Sequence, residues 1–460
     1  MTSKQTSSKL IFDSIHGPIR ISKIARSIID TPEFQRLRHI QQLGLCSYVF
    51  HCGNHTRFEH SIGVYHLAGL VLDVIHKNNK SLKIEIAELP HIKKINGTLI
   101  ELIKIAGLCH DIGHGPFSHV FDDLVLHDAT HPNKSHEIRS GIIIEKILKR
   151  LYPNGEFDDK TIEFIKNVID PKPEHKGFIY QIVANKLNGF DVDKFDYLER
   201  DTRHTGFRLA FDYRRIINEI QIDKNNNICY PKQVVYDVFG MFKIRYDLHK
   251  QLYHHKTVKI IEYMLCDIIK LIDPVFKIKQ SIEDIDEFCK LTDEVIFNYL
   301  TTYEQSLTNK LIKFDIKSKE KIDIKKAIII MNKINKRQLY SYIGELINKN
   351  NIDVDDITKY DNEINKDDII LCKYTIGYVS GNKPNPIEHI YFYDKKETAK
   401  NSFTIKKENV SSLIPDNYQE HYTKIFCRHK SSYNKIFDAF CKLKKELNIE
   451  DSIVPTPTLD

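Results

Sequence analysis

The stretch IAGLCHDIGHGPFSHVF, residues 105–121, constrains the chain more than any other. It begins with the three- and four-residue apolar spacing of a core helix, which Gly113, Gly115 and Pro116 then stop. His110, Asp111, His114 and His119 stand at and just beyond the stop. A core helix that ends in imidazoles and a carboxylate has to emerge into a polar cleft, because unpaired polar groups are costly to bury. The same helical spacing fills 58–75, 101–112 and one long segment, 234–272. The first 275 residues are therefore expected to be helical, with their chemistry at a helix end.

Adjacent His110 and Asp111 can converge on one ion from two directions. A neutral imidazole with a carboxylate suits Fe, Mn or Zn, or Mg with more oxygens. Two ligands are too few. The candidates for the others are His60, in TRFEHSIGVYH, and Asp193, in NGFDVDKFDYLERD.

The 460 residues suffice for a large core and a second lobe. A net charge of +6 suits a phosphate-bearing partner but does not single out nucleic acid. Nine cysteines without a CxxC pair read as free thiols in a reducing compartment. With no signal-like N-terminus and no apolar run long enough to span a bilayer, the expectation is an intracellular protein, cytoplasmic or nuclear, with no membrane partner.

Residues 1–8 and 451–460 read as tails, 9–275 as a catalytic core and 276–350 as a Lys-rich helical region, mostly solvated. Residues 351–368 read as an acidic linker, and 369–450 as an α+β lobe. In that lobe IILCKYTIGYV, IEHIYFYDKK and FTIKK look like strands, and NVSSLIPDNYQ and SYNKIFDAFCKLKKEL like helices. The fold class is mainly α, a helical core with a smaller C-terminal α+β lobe.

The ordered set H…HD…D resembles the HD-domain metal-dependent phosphohydrolases. DSIHGPI, IIDTPEFQRLRHIQQLG, RFEHSIGVYHLAG, AGLCHDIGHGPFSHVFD, NKLNGFDVDKFDYLERD and NPIEHIYFYDKK resemble, more closely, the SAM- and HD-domain-containing deoxynucleoside triphosphate triphosphohydrolases. The likeness runs from about residue 9 to about 445. The helical region starts almost at residue 1, so the SAM domain is expected to be absent.

The resemblance implies metal ligands His60, His110, Asp111 and Asp193, and attack of metal-activated water on the α-phosphorus of a dNTP. The products are nucleoside and tripolyphosphate. It implies phosphate contacts from Arg57, Lys194 and Arg245. His114 and His136 then touch the α-phosphate, and His119, paired with Asp122, is the general acid for the 5′-oxygen. Sugar recognition maps to Gln42, Leu43, Tyr197, Asp201 and Tyr253, with His254 where the family has Gln. His16, His39 and His66 read as structural.

Relatives of this kind are homotetramers, allosterically gated by a guanine nucleotide (GTP or dGTP) and then a dNTP, with Mg on the triphosphates. The guanine-site pattern maps to Lys9, Asp30, Gln35, Arg38 and Arg337, with Ser341 in place of a Lys. The second pattern keeps Val49, Phe50, Asp212, Arg215 and Lys256, with Arg428 for a Lys. It loses its Asn, His, Arg and Lys to Phe12, Pro18, Pro231 and Gln233, so altered activation is expected. The competing readings are an HD nucleotidase or phosphodiesterase with a shifted substrate, and a catalytically silent nucleic-acid-binding or scaffold protein.

Overall fold

The computed structural model describes residues 8–209, 212–309, 317–347, 352–378, 386–396, 401–411, 414 and 417–449. Helices dominate and the strands are few and short, so the chain is mainly α with a smaller α+β part.

Two helices carry the centre. Arg57–Asn78 starts on a Thr56–Glu59 capping box and is buried along most of its length. Gly97–Cys109, capped by the Asn96 side chain, packs along it and ends where Gly113 and Gly115 follow, as the spacing predicts. A third helix, Val192–Thr205, is capped by Asp191 and stopped by Gly206 in the left-handed region. It crosses Arg57–Asn78 at Gly63.

The periodicity over 234–272 predicts one helix, and here the structure differs. The segment divides into Val235–Leu248 and Lys256–Phe276, joined by a π turn at His249–Tyr253. The His254 N–H reaches back five residues to His249 O at 3.1 Å. The extra residue in that turn rotates everything after it.

Lys256–Phe276 packs against Ser318–Asn335, which buries Ile324, Ala327, Ile328, Met331 and Ile334. The Lys-rich stretch is thus not wholly solvated: Ile324, Ile328 and Ile334 belong to the main core, while Ile322 and Ile329 are exposed. Residues 310–316 of that stretch lie outside the described residues.

Gln419–Cys427 is the centre of an antiparallel sheet between Ser341–Ile347 and Ile369–Gly377. Alternation divides the residues of Ile369–Gly377 between two cores. Ile370 and Cys372 join the main core, while Ile369 joins a smaller one with helix Tyr433–Glu446. A second link is the parallel pairing of Tyr391–Tyr393 with Ile228–Pro231.

Several local expectations change. The acidic 353–368 stretch is not plain loop: Asp353 caps helix Val354–Thr358, whose Ile357 is buried. Only Tyr391–Tyr393 of IEHIYFYDKK is strand, and Phe403 of FTIKK makes one bridge to Phe392. In NVSSLIPDNYQ the described residues hold no α-helix; a short turn ends at Asn409 and a strand begins at Gln419. Residues 412–413 and 415–416 of that segment, and the expected tails apart from Ser8, fall outside the description. Among the described residues no helix is long and apolar enough to cross a membrane, and all nine cysteines are free thiols.

The crossing at Gly63 is what lets helix Val192–Thr205 reach the centre. A Cβ there would lie 1.8 Å from Asp196 Oδ1 and 2.7 Å from Arg200 Nη2. In an ordinary helix Gly→Ala stabilises by about 1 kcal/mol. Here Gly63→Ala is expected to reverse that sign and cost about 1–3 kcal/mol, the range for overpacking. A urea or thermal melt of the variant checks it; a gain in stability would mean that the two helices separate freely.

Candidate active site

His110 is the first residue past helix Gly97–Cys109. Its Nδ1 lies 2.8 Å from Gly107 O, and a carbonyl only accepts, so Nδ1 carries the hydrogen and Nε2 is a bare acceptor. His60, on the first turn of Arg57–Asn78, donates from Nδ1 to Asp196 Oδ2 at 2.7 Å. Burial disfavours charge on the His60 ring, but Asp111, Asp193 and Asp196 outweigh it and raise its pKa well above the usual imidazole value. Its Nε2, 3.3 Å from His110 Nε2, therefore takes a cation, a proton or a metal ion. Two lone pairs so placed call for a cation between them.

The carboxylates complete it. Asp193 Oδ1 lies 3.1 Å from His60 Nε2 and 3.5 Å from His110 Nε2. Asp111 lies 3.4 Å from His60 Nε2 through Oδ2 and 3.3 Å from His110 Nε2 through Oδ1. Ligand atoms about 2.0–2.1 Å from a tetrahedral centre stand about 3.3–3.4 Å apart. The residues present therefore fit a divalent transition metal. The electrostatics agree. Burial pushes the Asp111 carboxyl up, but Arg57, His110 and His114 hold it well below the usual carboxylate range. Asp193 is held low by His110 and His60, also against burial. Asp111, His114 and His136 form an adjoining group of ligating atoms, all within 4.8 Å of one another.

A second layer fixes the ligands. Asp196, which orients His60, also accepts from Arg200 Nε at 2.8 Å and from His16 Nε2 at 2.6 Å. His16, read as structural, thus holds the partner of a candidate metal ligand. No local motif marks Asp196 or Gly63 for this duty.

The turn after Asp111 is bound from inside. Arg36 donates to Ile112 O at 3.2 Å, to His114 O at 2.6 Å and to Leu291 O at 2.8 Å. Arg139 donates to Gly113 O at 2.8 Å and to Asp122. Both guanidinium groups lie against the Phe288 ring, at 4.6 and 4.9 Å from its centre. Asp293 accepts from the Phe117 and Gln41 amides at 2.6 and 2.8 Å. Phe117 and Ser118 both adopt the left-handed region, at φ 60° and 57°. Such strain persists only where surroundings over-determine it.

The histidines beyond the turn come together, with one correction. The sequence pairs Asp122 with His119; in the fold Asp122 accepts from His136 Nδ1 at 3.0 Å. The π turn Val120–Val125 rotates the carboxylate away from the ring three residues earlier. Burial lowers the His136 pKa, but the Asp122 bond prevails and leaves it raised. His119 is open to the cleft, and the surrounding protein and Arg57 hold its pKa down. His114 is buried, stacks on His136 at 3.9 Å, and is held well below the imidazole range by burial, Arg57 and His136.

His110, Asp111, Asp193, His114, His119 and His136 line one cavity of about 700 Å³. Arg57, Lys194 and Arg245 line it too, each resting on an internal acceptor: Asp111, Asp191 and Gly377 O. Gln42, Leu43, Tyr197, Asp201, Tyr253 and His254 also line it. Asp201 accepts from Tyr253 OH at 2.6 Å and His55 Nε2 at 2.7 Å. Sequence reasoning missed the contribution of strand Ile369–Gly377, whose Lys373, Tyr374 and Thr375 form part of the wall. Only long-range packing brings them there.

A second cavity, of about 520 Å³, gathers Lys9, Asp30, Gln35 and Arg38, with Phe12 at its rim 83% exposed. Arg337 is not among its lining residues; it donates to Tyr48 O at 2.9 Å. The other mapped residues are spread. Phe50 packs on Phe207 and His255, with Val49 beside it against the core. Arg215 pairs with Asp237 at 3.2 Å, Lys256 lies over Tyr342 and Arg428 pairs with Asp267 at 2.8 Å. Asp212 caps a short helix, and Phe12 faces Pro18 across a hairpin.

The HD domain family model matches residues 57–201, a span that opens on Arg57 and closes on Asp201. The HD domain-containing protein L394 of Acanthamoeba polyphaga mimivirus is 49% identical over 429 residues, 92% of each chain. The SAMHD1 homolog of Dictyostelium discoideum, named a deoxynucleoside triphosphate triphosphohydrolase, is 36% identical over 456 residues, 97% of this chain and 82% of its own. Human SAMHD1, named for the same activity, is 32% identical over 507 residues, 98% of this chain and 76% of its own. The likeness continues past the matched domain into the strands that wall the cavity, and the chain belongs to the SAMHD1-type deoxynucleoside triphosphate triphosphohydrolase family of HD-domain metal-dependent phosphohydrolases.

Proposed function

We propose that this chain hydrolyses dNTPs to deoxynucleoside and intact tripolyphosphate. The observation that carries the reading is a single cavity in which His110, Asp111 and Asp193 of the candidate metal-ligand set meet Arg57, Lys194 and Arg245 and the polar Tyr197, Asp201 and Tyr253. The names of the Dictyostelium and human relatives support it. A divalent ion, when bound by His60, His110, Asp111 and Asp193, supplies Lewis acidity and activated water; Fe, Mn or Zn suits this donor set.

The chain's own residues supply the rest. Arg57, Lys194 and Arg245 exchange their internal acceptors for phosphate oxygens, with Mg expected on the triphosphate. Asp201 accepts from the 3′-hydroxyl beside Tyr253 and His55. Tyr197, with Gln42 and Leu43, packs the sugar and leaves no room for a 2′-hydroxyl. Water adds to the α-phosphorus, the bond to the 5′-oxygen breaks, and that oxygen takes a proton. The sequence assigns the proton to His119. The Asp122 bond makes His136 the better reservoir at neutral pH, with His114 stacked against it at the α-phosphate. Lys9, Asp30, Gln35 and Arg38 in the second cavity support a regulatory nucleotide, GTP or dGTP. Val49, Phe50, Arg215, Lys256 and Arg337 are the remainder of that regulatory set, shared between copies of a homo-oligomer.

Phosphorus NMR of products from manganese-loaded protein and mixed dNTPs is the direct test. Tripolyphosphate is expected, absent in Asp111→Ala and after chelation, with a rate loss of at least about 10²-fold. Monophosphate with pyrophosphate would move the cleaved bond.

The acid must be protonated to act, so activity falls as pH rises through its pKa. If His136 is the donor, the alkaline limb of kcat/KM lies above the ordinary imidazole value, since Asp122 raises it. His136→Gln is expected to erase that limb. A limb below about 6.5 that disappears only in His119→Gln would return the role to His119.

Initial rates with and without GTP test the regulation. Because Phe12, Pro18, Pro231 and Gln233 replace the second site's polar groups, a reduced response is expected. Full dependence on GTP plus a dNTP at ordinary affinity would contradict it.

A further inference from the structure

Asp293 opens helix Asp293–Asn309 and is buried, 7% exposed. Each of its carboxylate oxygens accepts one backbone amide, and the two amides come from segments far apart in the chain. Oδ1 accepts from Phe117 N at 2.6 Å, and Oδ2 from Gln41 N at 2.8 Å. The two segments also bond to each other, since Ser118 Oγ donates to Gln41 O at 2.7 Å. Arg57 is seated across that junction. Its Nε donates to Ser118 Oγ at 3.0 Å and its Nη2 to Gln42 O at 3.4 Å. The Asp293 bridge therefore ends one residue short of each acceptor that holds the Arg57 side chain.

The bridge needs both oxygens as acceptors. An ionised carboxylate supplies them, whereas a protonated one gives up one oxygen to an O–H. Among the described residues no cation bonds to Asp293. The charged groups that face it are Arg36 and Arg57, and both are committed elsewhere. Arg36 donates to the carbonyls of Ile112, His114 and Leu291, and Arg57 to Asp111, Ser118 and Gln42 O. Cys289, beside Arg36, stays neutral, its thiol pushed up by burial to about 11. His39 and Glu294, 3.5 Å apart, stand on the exposed side of the same turn. Burial raises the Asp293 carboxyl to about 7, although both amides and both arginines oppose it. We infer that Asp293 is a positioning residue for Arg57: its ionised carboxylate sets the Gln41–Gln42 and Phe117–Ser118 segments so that Arg57 is aimed into the cavity, and its protonation disengages them. This rests on reading the cavity as a dNTP site in which Arg57 meets phosphate.

The test compares wild type with Asp293→Asn, both as manganese-loaded full chain with dATP and GTP, between pH 6 and pH 8. The substituted side chain keeps the shape but turns a donor toward one of the two amides, as the protonated acid does. The ratio of wild-type to variant kcat/KM at each pH cancels the ionisations that the two proteins share. At pH 8 it is expected to be about 10²-fold, the cost of a misplacement of about 1 Å. Towards pH 6 it should shrink about ten-fold, as the wild-type carboxylate takes up its proton. A ratio near one, or one that is the same at every pH, overturns the inference. Should Asp293→Asn fail to fold in a thermal melt, Ser118→Ala carries the same test. It cuts the link from the bridge to Arg57 and leaves the carboxylate in place, so the same pH-dependent ratio is expected and a flat one overturns the inference. The ratios are read in parallel as Kd for inorganic tripolyphosphate by calorimetry. If no dNTP is hydrolysed but the tripolyphosphate ratio exists and shrinks towards pH 6, the inference stands and the proposed reaction falls. If dNTPs are hydrolysed and both ratios are flat, the inference alone falls. Failure to bind either dATP or tripolyphosphate overturns both.

Discussion

Everything at the active site depends on two buried arginines that take up the carbonyls left by the turn after His110 and Asp111. A helix end leaves acceptors without intrahelical partners, and burying them unpaired costs about 1–3 kcal/mol each. Arg36 and Arg139 answer the carbonyls of Ile112, Gly113 and His114 in succession. Burying two guanidinium groups is itself costly, and burial lowers the Arg36 pKa to about 10. The cost is offset because their donors reach carbonyls and a carboxylate, and because Phe288 gives both a ring face. Held this way, the turn has one conformation, and a metal-ligand geometry needs no less.

That turn is held from both directions along the chain. From residues 285–293 come Phe288, the Leu291 carbonyl and the Asp293 carboxylate, which burial pushes up to about 7 despite two amide bonds. From the opposite side, Gly63 admits Asp196 to His60. Phe117 and Ser118 can therefore sit in the left-handed region without relaxing, so that the Ser118 hydroxyl accepts from Arg57 at 3.0 Å and donates to Gln41 O at 2.7 Å. Arg57, the cation proposed to meet the phosphates, is positioned by the same turn that presents the candidate metal ligands.

Much of this was legible in the sequence, and the reasons for the rest are physical. His60, His110, Asp111 and Asp193, which the fold brings together, could be named as candidate ligands because each sits in a local motif on or beside a helix end whose apolar spacing is strong. The partner of Asp122 could not, because three-residue spacing implies a helical neighbour and the π turn at Val120–Val125 breaks that rule. The same device hides the break at His249–Tyr253, where every residue is an acceptable helix former and only the five-residue bond reveals the shift. Asp196, Gly63, Phe288 and Tyr374 act through contacts between segments far apart in sequence, and no local pattern carries such information. The lobe's strand Ile369–Gly377 was legible as a strand, but its place in the cavity wall was not.

The cavity gains its chemistry from that distance. Its metal end is built by helices whose first and last turns are rigid, while its far end is closed by a strand and by the ring stack of His254 on Tyr374, which no helix alone could form. Three of the cations lining it already rest on internal acceptors: Arg57 on Asp111, Lys194 on Asp191 and Arg245 on a strand carbonyl. An empty cleft of unpaired cations would repel itself and cost stability. A ligand must therefore offer these groups more than their resting partners do, and a neutral sugar or base cannot. A polyphosphate can, since it brings several oxygens and compensating charge at once. On the proposed function, these resting contacts act as a selectivity filter on charge.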